Sequence, residues 1–168
     1  CYADGVQVIC GVDEAGRGPL AGPVCAAAVI LPPHLELPGL TDSKKLTDKK
    51  RRELMPIIKE QAIAYGIGMA SHEEIDSINI LQATYEAMRQ ALSQLPVRPD
   101  VLLNDAVRIP GVDIPQVPIV KGDAKSISIA CASVIAKVTR DRMMVEYDQL
   151  YPEYGFGMEH YLKNLSSF

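Results

Sequence analysis

The stretch that decides the fold lies near the start of the chain and comprises, at positions 6 to 18, Val6-Gln7-Val8-Ile9-Cys10-Gly11-Val12-Asp13-Glu14-Ala15-Gly16-Arg17-Gly18. Its first half, Val6 to Val12, is apolar and β-prone, which predicts a buried strand that ends at Asp13. The glycines that follow predict a loop in which backbone can approach a ligand closely. A tight turn between two strands explains the same glycines equally well, so the loop alone decides nothing.

Strand patterns recur along the rest of the chain. They cover Cys25 to Leu31, Ala62 to Ala70, Val101 to Leu103 and Pro118 to Val120.

Three helix patterns separate these strands. Thr47 predicts the cap of a helix that runs to Lys59, with Pro56 expected to kink it or mark a boundary. Ser71 and Glu74 form a capping box, and apolar residues at helical spacing then predict one helix as far as Leu95. A third helix runs from Ala124 to Leu150 with small residues along one side, which would allow close packing on a sheet. Together with the strands, these helices predict a single α/β domain over residues 1–168.

Composition limits the possible functions. The 168 residues are 48% hydrophobic and 23% charged, with a net charge of −4, which argues against a protein that coats nucleic acid by bulk charge. No apolar run approaches the ~20 residues needed to span a bilayer, so we expect no membrane association. Cys10, Cys25 and Cys131 lie in apolar contexts without Cys-x-x-Cys spacing, and this favours buried free thiols and a cytoplasmic location.

Acidic residues follow three of the predicted strands. Asp13, Asp105 and Asp123 each follow one, within three residues of its end, and Glu14 adds a fourth acid. Ligands gather at the carboxyl ends of strands in α/β sheets, and carboxylates that converge there repel one another and need a cation. Oxygen ligands without His or Cys select Mg²⁺ or Mn²⁺. Any one of these acids is more simply explained as an ordinary surface residue, but their shared position makes that explanation unattractive for all four.

The adjacency of Asp13 and Glu14 and the basic run from 44 to 52 are each ambiguous on their own. Asp13 and Glu14 are neighbours, so both can face one site only if the strand ends there. The run from 44 to 52 contains Lys44, Lys45 and four other basic residues against the single acid Asp48, and by itself it is best explained as a solvated helix face. The chain has no P-loop, dinucleotide-binding fingerprint, nucleophile elbow or zinc-type histidine spacing.

Several blocks of the sequence occur in an order known from one family. They run from Gly11 to Val24, from Asp42 to Leu46, over Asn104-Asp105, over Lys121-Gly122-Asp123 with Ser126, from Ala132 to Arg142, and from Tyr151 to Phe156. On these blocks the chain resembles type 2 ribonuclease H, the bacterial ribonuclease HII group, over nearly its whole length.

The resemblance implies a ribonuclease H-like α/β fold, with a central mixed β-sheet flanked by α-helices. It implies that four acids hold two Mg²⁺ or Mn²⁺ ions and act in catalysis, namely Asp13, Glu14, Asp105 and Asp123. It implies that Gly16, Arg17 and Gly18 read the ribose 2′-hydroxyl, the group that distinguishes RNA from DNA. Lys44 and Lys45 would contact substrate phosphate, which gives the basic run a function.

The end of the chain departs from the family pattern. After Phe156 the family continues with a His-Lys-Gly-Tyr-Gly-Thr-like segment, whereas Gly157-Met158-Glu159-His160-Tyr161 follows here. Either this sequence omits a loop near 157–158 that the protein has, or the protein itself lacks this loop. The residues from Glu159 resemble the start of the helix that follows the loop in the family, which favours omission. The family's C-terminal helical tail is also expected to be missing, and Tyr161 is not assigned the family's sugar-stacking role.

The implied reaction is two-metal hydrolysis of a phosphodiester in RNA/DNA hybrids and at ribonucleotides in duplex DNA, leaving 3′-hydroxyl and 5′-phosphate ends. This activity implies a role in ribonucleotide removal during DNA repair and replication, and we expect a monomer. Two alternatives stay open at this point. One is a different carboxylate-metal nuclease or phosphotransferase; the other is a nucleic-acid-binding module with an impaired site, which gains support if the segment after Phe156 is truly absent.

Overall fold

A five-stranded mixed sheet forms the centre of the molecule. The computed structural model describes residues 8–16, 22–33, 35–37, 40, 46–105, 108–119 and 126–150. The strands are β1 (Ile9–Ala15), β2 (Val24–Ile30), β3 (Ala64–Ala70), β4 (Val101–Asp105) and β5 (Gln116–Ile119). They lie in the order β3-β2-β1-β4-β5. β1 is antiparallel to β2 and parallel to β4; β2–β3 is antiparallel and β4–β5 is parallel.

The strand predictions hold in number and order, but one boundary matters for the site. β1 was predicted to end at Asp13 and instead continues through Ala15, because its last residues still pair with β2, with Asp13 opposite Ala27 and Glu14 opposite Ala26. β4 ends on Asp105 itself.

Four helices accompany the sheet: α1 (Asp48–Gln61), α2 (His72–Ile78), α3 (Ile80–Ser93) and α4 (Ile127–Leu150). Thr47 caps α1 as predicted, since its hydroxyl accepts the backbone N–H of Lys50 at 3.1 Å. The helix continues through Pro56, so of the two outcomes expected at this proline, a kink or a boundary, the boundary is absent. In the described part of the chain, no helix is both long enough and apolar enough to cross a membrane.

The predicted single helix after Ser71 is wrong. The capping box of Ser71 and Glu74 is present, but the helix ends at Ile78 and a new one begins at Ile80. Asn79 separates them with a φ of 74° and a ψ of 165°, a backbone conformation that residues other than glycine rarely adopt. Its side-chain carbonyl accepts the N–H of Gln82 at 3.0 Å and so caps α3.

Helices cover both faces of the sheet. α3 packs on β3 and β2, while α4 packs on β1 and β2 and in turn carries α1. The α3-side layer is defined by Cys10, Val12, Val24, Ala26, Ala28, Ile30, Ala87, Met88, Ala91 and Leu102. The α4-side layer is defined by Ala27, Val29, Leu54, Met55, Ile58, Cys131, Ala132, Val134, Ile135 and Ala136. The small residues predicted to let α4 approach the sheet include Ala132 and Ala136, and both are fully buried.

Candidate active site

Two aspartates lie at the same level at the carboxyl ends of neighbouring parallel strands. β1 and β4 pair with Val12 opposite Asn104, so the next residues along, Asp13 and Asp105, are adjacent across the ladder. Residues two positions apart in a strand share a face. Gly11, two residues before Asp13, and Leu103, two residues before Asp105, both face the α4 side. Both carboxylates are therefore directed to one face of the sheet.

Glu14 joins this pair although it follows Asp13 directly in a continuous strand. The Glu14 N–H donates to Asp13 Oδ1 at 2.8 Å, and the two side-chain carboxyl groups also interact by hydrogen bonding. The chain turns immediately afterwards at Gly16, whose φ is 100°. β1 does not end at Asp13, the condition inferred from the sequence for both acids to face one site, so the shared site of Asp13 and Glu14 stays a prediction.

The electrostatics of Asp13 reflect this crowding. The Asp13 side chain is buried, and burial together with the nearby charge of Glu14 raises its pKa well above the ordinary range. The N–H of Glu14 opposes this rise, and the charge of Asp105 adds to it. Three carboxyl groups thus lie within electrostatic reach of one another, which favours a bound proton or a bound cation.

The start of α4 lies against the same region of β1. A Cβ on Gly11 would overlap the backbone of Ser128 and Ile129, so only glycine allows the first turn of α4 to lie directly on the strand. Ser126 caps this turn, because its hydroxyl accepts the N–H of Ile129 at 3.4 Å. The first turn of α4 consequently lies against Gly11, two residues before Asp13 in β1.

A polar network that the sequence did not reveal supports the end of β4. Asn104, fully buried, donates from Nδ2 to Gln116 Oε1 at 2.8 Å. The same Gln116 amide accepts the N–H of Ile109 at 2.7 Å and donates to its carbonyl at 2.8 Å. These bonds tie the loop after β4 to the strand residue next to Asp105. The block Asn104-Asp105 was the available signal, although nothing in it identifies Gln116 as the partner.

The donor set fits a hard divalent cation in chemistry, and the described residues supply only part of it. Asp13, Glu14 and Asp105 offer oxygen atoms alone, the ligands preferred by Mg²⁺ and Mn²⁺. Within the described ranges, no three His, Cys, Asp or Glu side chains are arranged so that they could hold an ion. The fourth predicted acid, Asp123, lies outside those ranges.

Predicted substrate contacts fall largely outside the described residues. Gly16 is described and lies two residues after Glu14. The other predicted contacts lie outside the described residues, namely Arg17, Gly18, Lys44 and Lys45. The segment after Phe156 lies outside them as well. For these residues the assignments remain predictions.

Comparison with known proteins identifies close relatives. A family model described as ribonuclease HII matches residues 10–160. The chain is 67% identical to ribonuclease HII of Lachnoclostridium phytofermentans over 89% of its own length and 59% of that protein. It is 59% identical to ribonuclease HII of Clostridioides difficile over 92% of its own length and 61% of that protein. The chain therefore spans about three fifths of the length of these relatives.

A solved structure shares the architecture. The ribonuclease H2 of Pyrococcus horikoshii superimposes with a TM-score of 0.71 at 30% identity, covering 88% of this chain and 77% of that one. The predicted fold class, a ribonuclease H-like α/β fold with a central mixed sheet flanked by helices, is confirmed by this match and by the strand order.

Proposed function

This chain belongs to the ribonuclease HII family, and on that premise we propose that it is a metal-dependent endoribonuclease. Its substrates are the RNA strand of RNA/DNA hybrids and ribonucleotides embedded in duplex DNA. The products carry 3′-hydroxyl and 5′-phosphate ends, and the activity serves ribonucleotide removal from DNA. The observation that carries the proposal is that Asp13 and Asp105 lie side by side near the ends of parallel β1 and β4, with Glu14 next to Asp13.

The proposed metal site consists of four acidic residues and of contacts that position two of them. Asp13, Glu14, Asp105 and Asp123 are the proposed ligands of two Mg²⁺ or Mn²⁺ ions. When bound, such a pair supplies an activated water and stabilises the leaving oxygen of an in-line displacement. The N–H of Glu14 orients the Asp13 carboxylate, and the Asn104–Gln116 network supports the strand end that carries Asp105. Both features favour a fixed arrangement of ligand oxygens before any ion arrives.

Substrate selection is assigned to the loop after β1 and to the basic run. Gly16, Arg17 and Gly18 are proposed to contact the ribose 2′-hydroxyl, and Lys44 and Lys45 to contact phosphate. A cytoplasmic location and action as a monomer complete the proposal. The three buried free thiols support the reducing compartment.

A substrate panel tests the proposal. Three duplexes of one sequence are incubated with the protein and Mg²⁺ or Mn²⁺: all-DNA, DNA with a single ribonucleotide, and an RNA/DNA hybrid. We expect cleavage of the second and third, with 3′-hydroxyl ends, and none of the first. Asp13→Asn should lower the rate more than about 100-fold, because loss of an outer-shell partner alone costs 10–100-fold. Asp113→Asn, an exposed acid in the β4–β5 loop, is the matched control.

Three other outcomes of this panel would contradict the proposed function. Cutting of all-DNA at a similar rate would indicate a different carboxylate-metal nuclease. Binding of the hybrid without cleavage in the unchanged protein would indicate a binding module, and undiminished cleavage by Asp13→Asn would remove the acids from the mechanism.

A further inference from the structure

A buried arginine on α4 lies against the described ends of the connection between β1 and β2, at Gly16, Gly22 and Pro23. Arg140 is 4% exposed, and its Nε donates to the carbonyl of Pro23 at 2.8 Å in a buried environment. Burial lowers the pKa of the Arg140 guanidinium, and the neighbouring Asp141 opposes this change. Arginine is seldom buried to this extent in the absence of a structural or functional role.

Both described ends of the loop are shaped around this side chain. Gly16, at the start, has a φ of 100°, and a Cβ there would overlap Arg140 Nε and lie 2.5 Å from the Pro23 carbonyl oxygen. Gly22, at the end, has a φ of 96°, and a Cβ there would overlap Met144 and lie 3.1 Å from the second guanidinium nitrogen, Nη2. Two glycines in left-handed conformations thus leave the space that Arg140 occupies, one on each side of it.

The anchor itself is held by α4. Asp141, which follows Arg140 and is 5% exposed, accepts a hydrogen bond from Lys137 Nζ at 3.0 Å. Met144 lies one turn further along the same helix and is also buried. Since α4 packs on β1 and β2, Arg140 joins the ends of the loop to the helix that covers the strand carrying Asp13.

We propose that Arg140 is a positioning residue that fixes both ends of the β1–β2 loop and thereby sets the discrimination between ribose and deoxyribose. The inference rests on the proposed function, because that function assigns ribose recognition to residues directly after Glu14. A hydrogen bond to a backbone carbonyl holds the loop without contact to substrate. The effect of losing it is therefore a displacement of the loop, and displacements of about 1 Å can cost 100-fold in rate.

The test compares Arg140→Met, which keeps the apolar stem, with Arg140→Lys, which keeps the charge but has no planar fork. Arg142→Met, an exposed position two residues along α4, is the control. We expect kcat/KM on a single-ribonucleotide duplex to fall about 10- to 100-fold in Arg140→Met and less in Arg140→Lys. The inhibition constant of an all-DNA duplex should change less than about threefold, and Arg142→Met should match the unchanged protein.

Hydrogen exchange of the substrate-free protein gives a second readout. The backbone amides of Gly16 and Gly22 should exchange faster in both Arg140 variants, whereas those of β4 should not. Equal losses on the ribonucleotide-containing and all-DNA duplexes, or unchanged exchange at the loop ends, would overturn the inference. If Arg140→Met does not fold, Arg140→Lys carries the same comparison. An unchanged protein that ignores ribonucleotides would refute the proposed function, while the exchange result would still decide whether Arg140 anchors the loop.

Discussion

At the scale of single residues, Asp13 is under two opposed demands. Its carboxyl is buried and close to Glu14 and Asp105, and burial and both neighbouring charges raise its pKa. Only the hydrogen bond from the Glu14 N–H lowers it. A group whose pKa is raised on folding destabilises the folded state at any pH where the unfolded chain is ionised. The arrangement that suits a cation therefore costs stability when no cation is bound.

Asp13→Asn should accordingly raise the free energy of unfolding of the metal-free protein at pH 7, by about 1.4 kcal/mol for each unit of pKa shift removed. The gain should shrink as the pH falls toward the ordinary aspartate pKa of about 3.9 and disappear below it, because the carboxyl of Asp13 is then protonated in both states. Denaturant titration in EDTA at several pH values measures this. Asp113→Asn should change stability by less than about 0.5 kcal/mol; a loss of stability in Asp13→Asn would show that the site is not electrostatically strained.

The positions of Asp13 and Asp105 near strand ends could be predicted from sequence because each follows a local apolar run. Their supporting partners could not, since the contacts span the chain: Asn104 to Gln116 is 12 residues apart, and Arg140 to Pro23 is 117. Nothing in the local pattern around Arg140 distinguishes a buried anchor from a solvated helix residue. Only the packing of α4 on the sheet does so.

At the scale of elements, the break between α2 and α3 shows the limit of periodicity. Apolar spacing continues through Asn79 without a proline or glycine, so a period of 3.6 residues predicts one helix. The buried face of α3 is instead built from Ala83, Thr84, Ala87, Met88 and Ala91. The break depends on Asn79, which has a positive φ. Its side-chain carbonyl caps α3 by accepting the N–H of Gln82.

The edge strand β3 is covered by side chains of α3 rather than left open. Gln94 accepts the N–H of Ile67 at 2.9 Å and donates to its carbonyl at 2.5 Å, and Gln90 accepts the N–H of Met69 at 3.1 Å. These glutamines are one helical turn apart, and their partners are two residues apart on one strand, so the spacings match. Open backbone on an edge strand invites pairing with another chain, and the two amides reduce that exposure.

Replacement of both glutamines, Gln90→Ala with Gln94→Ala, should lower the free energy of unfolding by about 1.5–4.5 kcal/mol, from three hydrogen bonds at about 0.5–1.5 kcal/mol each. It should also increase self-association through the uncovered edge. Denaturant titration and sedimentation over a range of concentrations measure the two effects. Gln82→Ala, exposed on the same helix, is the control, and identical behaviour of the double variant and this control would contradict the protective role.

At the scale of the whole molecule, the sheet divides the core into two layers that share the same strands. Cys10 lies in the α3-side layer and Cys131 in the α4-side layer, while Cys25 contacts Met143 of α4, with its Sγ 3.3 Å from the methionine sulfur. Burial raises the pKa of each of these thiols to about 12. The three cysteines, predicted from sequence as buried free thiols and confirmed as such, therefore report on both layers.

Alkylation of these thiols should reveal whether the two layers unfold together. At pH 8 a thiol with a pKa of about 12 is ionised about once in 10⁴, against about a quarter for an unfolded cysteine, so native protein should resist iodoacetamide at all three positions. Because β1 and β2 contribute to both layers, loss of either layer exposes the other. Peptide-resolved mass spectrometry across a denaturant series should thus give one midpoint for Cys10, Cys25 and Cys131. Modification of Cys10 at clearly lower denaturant than Cys131 would mean that the α3-side layer opens independently while the layer behind Asp13 remains folded.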